Sequence, residues 1–423
     1  MLDQEPGPDA SGRRLSTRQA ADLLGVKPET VYAYVSRGRL SSRRVPGTRG
    51  STFDADEIEA LARSNRRESH TGGGVGGAED RGAAPAVRTG VTLIEDDRFY
   101  FRGVDAVELA ARHSYEEVAE WLWTGRMRAG VAFDAPRASV EAARRAVGAL
   151  PEHTGPADRL RVATIACAVT DPLRFDLSED AVLGTARTLI PTLVAALPPK
   201  VPTHRDGASL AQRLWGRLSW RPAAESPVHV LDAALALLVD HDLAASTLAV
   251  RVAASARAHP YAAVSAGLGV VEGHLHGAAG GLVHRLLLDV LDRGSAGPVI
   301  AEELRAGRRV PGLGHRLYRG EDPRARALFA LLADVPAAAP ALAAARDVER
   351  TAARHAPLHA NVDLALAVLT ASCGMEPSAS ETVFAIARTA GWIAHAQEEY
   401  GERPLRMRPS GHYVGPRPPR PLP

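Results

Sequence analysis

The chain has 423 residues, 45% of them hydrophobic and 24% charged, so it can bury a sizeable core and has room for two or three domains of roughly 150 residues each. Its formal net charge of +2 is too small to indicate a partner, and its two cysteines, Cys167 and Cys373, exclude a disulfide framework and fit a reducing cytoplasm. The first fifteen residues lack the apolar core of a signal peptide, and charges interrupt every apolar run before the roughly 18 residues that a membrane helix needs. We therefore expect a globular cytoplasmic chain that does not associate with a membrane.

Residues 13–67 carry the pattern of a small helical module. Ser16 or Thr17 can cap a first helix, which Gly25 ends, and Pro28 opens a second helix. Two helices joined by a short turn that contains glycine form the helix-turn-helix arrangement. The pattern therefore predicts a helix-turn-helix near the start of the chain.

A hairpin or wing is predicted after the second helix. Residues 43–45 and 52–53 flank a Pro-Gly-Thr-Arg-Gly turn, and Asp54 then caps a third helix through Ala62. The module holds twelve Lys or Arg against six Asp or Glu, an excess of +6, so the remainder of the chain is net acidic. It resembles the excisionase/MerR-like winged helix-turn-helix family in the strings Leu-Ser-Thr-x-x-Ala-Ala-x-x-Leu-Gly-Val and Thr-Val-Tyr-x-Tyr-Val.

A basic helix-turn-helix has the electrostatic footprint of duplex DNA binding. The candidate DNA contacts come from the exposed face of the second helix and from the arginines near the wing: Thr30, Tyr32, Arg37, Arg43, Arg44 and Arg49. The alternative is a protein-interaction or dimer-docking module that has kept the fold and binds no nucleic acid.

A linker rich in Gly, Ala and Pro spans residues 68–90 and should be flexible, so it separates the basic module from a large helical region at 91–415. A short strand pair opens that region, followed by a helix through Leu109 and another that starts at Ser114. Helical periodicity then continues over the ranges 136–149, 156–170, 178–197, 207–218 and 227–240. The predicted fold class is mainly α, with function on the loops, and residues 416–423 form a Pro-rich tail with no evident role.

The most specific pattern of the chain lies in residues 308–326. Gly312 and Gly314 form a tight turn before His315, an imidazole that can exchange a proton near neutral pH among arginines suited to carboxylates and phosphates. Asp322 followed by proline indicates a helix start. A solvated basic loop with a surface histidine would share these features, but the longer string Pro-Gly-x-Gly-His-Arg-x-Tyr-Arg-x-x-Asp-Pro-Arg-Ala resembles the signature of citrate synthases.

Further segments resemble the same family, and together they cover roughly residues 91–415 in the family's order. They are Tyr-Phe-Arg-Gly-x-Asp near residue 100, Asp-His-Asp-Leu-Ala-Ala-Ser-Thr around His241, Leu-His-Gly around His276, Asn-Val-Asp ending at Asp363, the helix around Arg388, and Arg-Pro-Ser-Gly-His-Tyr-Val-Gly from Arg408.

Several positions depart from the family pattern. They are Asp242 for Glu, Ala244 for Asn, His274 for Pro, Gly280 and Gly281 for Asn and Glu, and Leu364 for an aromatic residue. These replacements remove polar contacts, so the exact substrate is not determined by the resemblance. No metal site is expected, because His274 and His276 would not share a helix face and Pro357 interrupts the i,i+4 pair of His355 and His359.

The resemblance implies a role for each matching residue. It makes Asp363 the base, His276 the donor to the thioester oxygen, and His315 the group that polarises the ketone and protonates the new alkoxide. It places His241, Arg324, Arg388 and Arg408 at the oxaloacetate, with Arg408 reaching the neighbouring subunit's site, and Arg308, Arg309 and Arg319 are candidates for the phosphates of CoA. It also implies a homodimer with large and small helical domains, the small one at approximately 250–360.

The expected activity is that of a citrate synthase of the tricarboxylic acid cycle, which condenses acetyl-CoA with oxaloacetate and hydrolyses the thioester. The acyl-CoA is a cosubstrate, and no bound cofactor or metal is called for. Two alternatives remain open: a 2-methylcitrate synthase that uses propionyl-CoA, and a DNA-binding regulator whose synthase-like domain senses metabolites. A purely structural role is a third reading.

Overall fold

The computed structural model describes residues 14–24, 30–31, 34–35, 40–44, 51–55, 57–58, 87–201, 207–273, 279–409, 412–416 and 420. The chain divides into two compact units, Met1–Ala86 and Val87–Pro423. Within the described parts, no single helix is long and apolar enough to cross a membrane, although one bent pair, Pro323–Ala333 with Pro336–Ala352, passes on length and composition together.

In its described residues, the first unit has a three-stranded antiparallel sheet, a helix that follows the first strand, and further helical residues at 30–31, 34–35 and 57–58. Strands β1 (Arg14–Ser16), β2 (Ser42–Arg44) and β3 (Ser51–Asp54) lie in the order β1-β3-β2, and α1 (Thr17–Leu24) follows the first strand directly. Arg43 is paired with Thr52 across β2 and β3, which confirms the predicted wing. A small core holds the unit together, and its apolar members are Leu15, Ala20, Ala21, Val31, Leu40, Phe53, Ala55 and Ile58.

The second unit opens with a small antiparallel sheet and continues as packed helices, which confirms the mainly α fold class. The strands are β4 (Thr92–Glu95), β5 (Arg98–Phe101) and β6 (Val104–Asp105). The helices are α2 (Ala106–Arg112), α3 (Tyr115–Thr124), α4 (Arg137–Gly148), α5 (Pro156–Thr170), α6 (Glu179–Ala196), α7 (Leu210–Leu218), α8 (Glu225–Leu238), α9 (Ala245–Ser255), α10 (Pro260–Val271), α11 (Ala279–Arg293), α12 (Ala296–Arg305), α13 (Pro323–Ala333), α14 (Ala339–Ala352), α15 (Val362–Ser372) and α16 (Ala379–Gly401), with a 3-10 turn at Pro336–Ala338.

The helix boundaries follow the capping residues of the sequence. Ser114 and Glu117 form a reciprocal capping box at the start of α3, and Asp322 accepts a hydrogen bond from the backbone N–H of Arg324 at the start of α13. Residues 355 and 359 lie beyond the end of α14, so the histidine pair does not share a helix. Both predicted starts, at Ser114 and at Asp322, are confirmed.

Most of the second unit packs against the long helix α16. A glycine of this helix allows the segment that carries His241 to approach it closely. A Cβ atom at Gly391 would lie 2.2 Å from the carbonyl oxygen of Val239 and 2.9 Å from a carboxylate oxygen of Asp240. Because only glycine leaves this space, the chain before His241 can pass directly over α16.

A buried network of charges holds that segment in place. The Asp240 carboxylate accepts hydrogen bonds from the Thr92 hydroxyl at 2.5 Å and from His395 at 3.3 Å. His395 in turn contacts the fully buried Arg251, whose guanidinium also donates to Glu399 at 2.7 Å. Buried charges are tolerated when they are paired in this way, and the network ties β4, α9 and α16 to the residue that precedes His241.

Candidate active site

Five helices of the second unit begin at one cleft of about 300 Å³. They are α9, α11, α13, α15 and α16, and each contributes residues of its first turn to the lining. Helix N-termini carry partial positive charge and free N–H groups, so their convergence favours an anionic ligand. The side chains that line the cleft include His241, His315, Arg324, Asp363, Ser380, Phe384 and Arg388.

The loop that carries His315 is joined to the segment before Asp363 by backbone pairing. The N–H of Gly314 donates to the carbonyl of His359 at 2.7 Å, and the N–H of Asn361 donates to the carbonyl of Gly312 at 3.0 Å. Gly312 and Gly314 have φ values of +84° and +76°, which favour glycine. The glycines of the motif therefore form the turn that brings the histidine beside the aspartate.

Asn361 fastens the two segments with its side chain. Its amide nitrogen donates to the carbonyl of Gly314 at 3.0 Å, and its amide oxygen accepts the N–H of Asp363 at 3.0 Å. The second bond caps α15 at its start. Asn361 thus fixes the backbone on both sides of the candidate site.

His315 is a neutral imidazole whose tautomer is set by a backbone bond. Burial and the positive charge of Arg324 lower its pKa to about 4. The N–H of Leu317 donates to Nδ1 at 3.1 Å, so the ring proton lies on Nε2. The ring centroid lies 5.0 Å from that of His241 and 4.9 Å from that of Tyr318. At neutral pH His315 is therefore an uncharged donor.

Asp363 is a carboxyl group with a raised pKa. Burial raises its pKa to about 6; the nearby Arg324 opposes the rise, and Asp322 adds to it. A carboxylate with a pKa near 6 is ionised at pH 7 yet is a stronger base than an exposed aspartate. The side chain can therefore accept a proton at the pH of a cell.

Arg324 is held by a bidentate ion pair in which its Nε and Nη2 donate to the two carboxylate oxygens of Asp322 at 3.0 and 2.8 Å. Burial works against both charges, but each partner outweighs it, so the pKa of Arg324 is raised and that of Asp322 is lowered. Asp322 also accepts the N–H of Val362 at 3.1 Å, which joins the starts of α13 and α15. Arg324 also lines the cleft, where its guanidinium can bind an anionic ligand.

Arg388 is a buried cation in the middle of α16. Its Nε donates to the carbonyl of Leu238 at 2.9 Å, and its guanidinium lies 4.7 Å from the ring centroid of Phe384. Burial lowers its pKa to about 10, a change that Asp240 opposes and Arg324 reinforces, so the side chain stays charged at neutral pH. The two terminal nitrogens form the planar fork that suits a carboxylate.

His241 completes the floor of the cleft. Its Nε2 lies 2.7 Å from the Tyr318 hydroxyl. Burial, with the charge of Arg324, lowers its pKa well below the ordinary value, so the ring is neutral. Two neutral imidazoles, one carboxylate of raised pKa and two arginines therefore share one small space.

The remaining candidate residues do not line this cleft or lie outside the described residues. Arg408, Arg308, Arg309 and Arg319 are exposed, and Arg308 pairs with Glu303 at 2.8 Å. The segment 274–278, which holds His276, lies outside the described residues. So do Tyr32, Arg37 and Arg49 and the side chains of Arg43 and Arg44, whereas Thr30 is described as helical and half-buried.

Some of the departures from the family pattern lie in the lining of the cleft. Ala244 and Gly280 both line it, and Ala244 offers no side-chain bond to the start of α9. Leu364 is fully buried and lies under the Gly312 turn, where a Cβ would meet it at 3.2 Å. The losses at Ala244 and Gly280 therefore change the cleft directly, whereas Leu364 contributes packing.

Sequence reasoning did not identify three residues that shape the site. Tyr318 is the partner of His241, Phe384 lies against Arg388, and Asp322 does more than cap its helix. Tyr318 stands three residues after His315 in the motif, and Phe384 stands one helical turn before Arg388, so spacing alone could have indicated both. Among the described residues, no group of three or more His, Cys, Asp or Glu could hold a metal ion.

Two family models match the chain in separate regions. Residues 82–410 match the citrate synthase C-terminal domain, and residues 14–66 match a helix-turn-helix domain. The first match covers more than half of the chain.

Named relatives include both citrate and 2-methylcitrate synthases. Citrate synthase 2 of Bacillus subtilis is 27% identical over 352 residues, covering 78% of this chain and 94% of its own. A 2-methylcitrate synthase of Mycobacterium tuberculosis is 26% identical over 340 residues, covering 74% of this chain and 84% of its own.

Solved structures share the fold. Citrate synthase of Thermotoga maritima superposes with a TM-score of 0.65 at 24% identity and covers 81% of this chain and 96% of its own. Citrate synthase of Thermoplasma acidophilum, solved as a ternary complex with carboxymethyl coenzyme A and oxaloacetate, gives 0.66 at 22% identity, covering 81% and 97%.

The helical fold, the cleft and these matches define an acyltransferase of the class that converts acyl groups into alkyl groups on transfer. The chain belongs to the citrate synthase family, with a helix-turn-helix domain ahead of the synthase domain.

Proposed function

We propose that the chain is a citrate synthase that condenses acetyl-CoA with oxaloacetate and hydrolyses the resulting thioester to citrate and free CoA. The observation that carries the proposal is the convergence of Asp363, the neutral His315 and the cations Arg324 and Arg388 in one cleft at five helix N-termini. Oxaloacetate is a dianion, which fits the arginines and the positive helix ends.

The first step removes a proton from the acyl α-carbon. The Asp363 carboxylate takes that proton, and the electron pair moves onto the thioester oxygen as an enolate, to which His276 donates a hydrogen bond in the role carried over from the family. A weakly acidic carbon acid needs both the base and a donor that stabilises the developing charge.

The second step forms the new carbon–carbon bond. The enolate carbon attacks the ketone carbon of oxaloacetate while Nε2–H of His315 hydrogen-bonds the ketone oxygen and supplies the proton to the alkoxide. Arg324, Arg388 and His241 hold the substrate carboxylates. Water then attacks the citryl thioester carbonyl and returns a proton to His315. The carbon–sulfur bond breaks, the leaving thiolate takes the proton held by Asp363, and the products are the CoA thiol and a carboxylic acid that loses its proton to solvent.

A thiol-release assay tests the activity directly. Purified protein is mixed with oxaloacetate and either acetyl-CoA or propionyl-CoA, and free thiol is followed with a chromogenic disulfide. A higher kcat/KM for acetyl-CoA supports the citrate synthase, whereas a higher value for propionyl-CoA assigns the 2-methylcitrate reaction. No thiol release with any short acyl-CoA would overturn the proposal.

We further propose that the enzyme is a homodimer in which Arg408 of one subunit serves the cleft of the other. Exposed apolar side chains on and after α5 support a contact surface: Ile165, Val169, Leu173 and Phe175. In a mixture of Asp363→Asn and Arg408→Ala subunits, each heterodimer would keep one intact site, so about a quarter of wild-type activity should return on random exchange. No recovery, in a mixture that mass spectrometry shows to contain heterodimers, would rule out the shared site.

The second candidate function is DNA binding by the first unit. The helix-turn-helix match and the local charge excess favour it. Fluorescence anisotropy of the full chain with duplex DNA should give an affinity that falls steeply with salt and weakens in the Arg43→Gln/Arg44→Gln variant. Affinity that also changes with oxaloacetate or CoA would favour a metabolite-sensing regulator, and the absence of duplex binding at low salt would favour a docking module.

A further inference from the structure

The side chain of Ser380 carries an unused hydrogen-bonding group. The residue is 2% exposed, and its hydroxyl has no hydrogen-bond partner within the described part of the chain. Other buried hydroxyls on the same helix bond to a carbonyl one turn earlier, as Thr382 does to Ser378 at 3.1 Å and Thr389 does to Ala385 at 2.8 Å. A buried polar group without a partner is unfavourable, so its presence calls for an explanation.

Ser380 does not cap its helix. Helix α16 begins at Ala379, its N-cap residue is Ser378, and no side-chain bond caps it. The hydroxyl of Ser380 instead belongs to the lining of the cleft. A structural role for this hydroxyl is therefore not evident within the helix itself.

The position of Ser380 along α16 separates it from the carboxylate-binding end. Ser380, Phe384 and Arg388 follow each other at intervals of four residues, so they share one helix face. The Arg388 guanidinium lies 4.7 Å from the centre of the Phe384 ring. Ser380 lies one turn before Phe384, about 6 Å from it along the helix axis. A ketoacid carboxylate held by Arg388 would thus leave Ser380 beside the other reactant.

A glycine of α11 lies directly beside Ser380. A Cβ atom at Gly280 would lie 2.8 Å from Cβ of Ser380, so α11 and α16 approach each other here at a glycine. Ala244 and Gly280, both without polar side-chain atoms, line the same cleft. Of these three residues, Ser380 alone offers a side-chain donor to a ligand.

We propose that the Ser380 hydroxyl binds the acyl-CoA substrate by donating a hydrogen bond to its thioester carbonyl oxygen. The inference rests on the proposed synthase function and adds a binding residue to it. Ser380 and Asp363 line the same cleft of about 300 Å³, so an acyl-CoA placed for proton removal by Asp363 is the reactant available to the Ser380 hydroxyl. The bond strengthens as the oxygen gains charge in the enolate, so Ser380 acts on turnover as well as on binding.

The test is Ser380→Ala, which removes the hydroxyl and leaves the volume almost unchanged. We expect kcat/KM for acetyl-CoA to fall by about tenfold or more, while KM for oxaloacetate stays within about twofold. The melting temperature should stay the same or rise, because an unpaired buried hydroxyl is lost. Unchanged kcat/KM for acetyl-CoA, or a loss confined to oxaloacetate, would overturn the assignment.

The matched control is Thr382→Val, which removes a buried hydroxyl from the same turn of α16. This hydroxyl is already paired with Ser378, so we expect the melting temperature to fall and kcat/KM for acetyl-CoA to stay near the wild-type value. If Ser380→Ala instead behaves like this control, Ser380 is structural and the proposal is wrong.

A binding measurement separates this proposal from the proposed function. Calorimetry with a ketone analogue of acetyl-CoA, in which a methylene group replaces the thioester sulfur, should give a Kd at least about fivefold weaker for Ser380→Ala than for wild type. If the wild-type protein turns over acyl-CoA, and the two proteins have equal Kd and equal kcat/KM values, the proposal for Ser380 is refuted and the proposed synthase function is not. A wild-type protein that neither turns over acyl-CoA nor binds the analogue would refute both proposals.

Discussion

Replacing Asp363 with asparagine should make the protein inactive and more stable at the same time. Asparagine keeps the shape of the side chain and removes the carboxylate, so the α-proton of the acyl group has no base. A positioned general base contributes about 10²–10⁴ to the rate, and we expect a loss of at least about 10³-fold in kcat.

The gain in stability follows from the pKa of Asp363. Burial raises that pKa from 3.8 to about 6, so the folded protein binds a proton more tightly than the unfolded chain. Ionisation of a carboxyl group whose pKa is raised on folding destabilises the folded protein. This destabilisation is absent below pH 4, grows as the pH rises towards 6, and is complete above 6. A shift of about two units corresponds to about 3 kcal/mol as an upper figure, which Asp363→Asn should recover at pH 8 and progressively less towards pH 5.

Thermal unfolding at pH 5 and pH 8 measures this difference, and Asp347→Asn is the matched control. The Asp347 carboxylate accepts the N–H of Ala296 at 2.7 Å, which lowers its pKa, and Arg350 lowers it further. Its replacement should therefore destabilise the protein at pH 8, the opposite sign. An Asp363→Asn protein that is less stable than wild type at pH 8, or that keeps more than about a tenth of the activity, would refute the reasoning on Asp363.

Three further predictions concern the cleft. Arg388→Met removes the buried fork and should raise KM for oxaloacetate by about 10²-fold or more, with KM for acetyl-CoA much less affected, as initial-rate kinetics would measure. The rate kcat/KM should rise with pH through about 6, where Asp363 ionises, and show no descending limb from His315 above pH 5, because the pKa of His315 is already about 4. Gly312→Ala should lower both activity and melting temperature, because φ is +84° and the new Cβ would lie 2.7 Å from Val283; wild-type values would show that the turn is not under steric constraint.

The parts of the fold and site that depend on local sequence were predictable. The capping residues Ser114 and Asp322 gave helix starts that the structure confirms, and glycine spacing indicated the turn before His315. The residues of the motifs also led to Asp363 and Arg388, which lie in one cleft with His315. Each of these features depends on a few consecutive residues or on a single helical turn.

The contacts that hold the site together join residues far apart in sequence, and no local pattern indicates them. Asp240 is anchored by Thr92 and by His395, which are 148 and 155 residues away in the chain. Asp322 accepts a hydrogen bond from the N–H of Val362, whereas the local sequence indicates only that Asp322 caps its own helix. Contacts of this kind can be recognised only from the folded structure, because the packing of the helices determines which helix ends lie together.

The electrostatics of the cleft explain why its two histidines are neutral and why a dianion is the fitting ligand. Burial and Arg324 lower the pKa values of both His241 and His315, and the positive ends of five helices point to the same space. Added positive charge in such a place is costly, and added negative charge is favourable. A bound carboxylate at Arg324 and Arg388 would therefore offset the part of the pKa lowering that comes from positive charge, whereas the larger part, which comes from burial, would remain. Because burial is the larger cause of the low pKa, His315 would remain the neutral Nε2–H donor that the proposed mechanism requires when the ketoacid is in place.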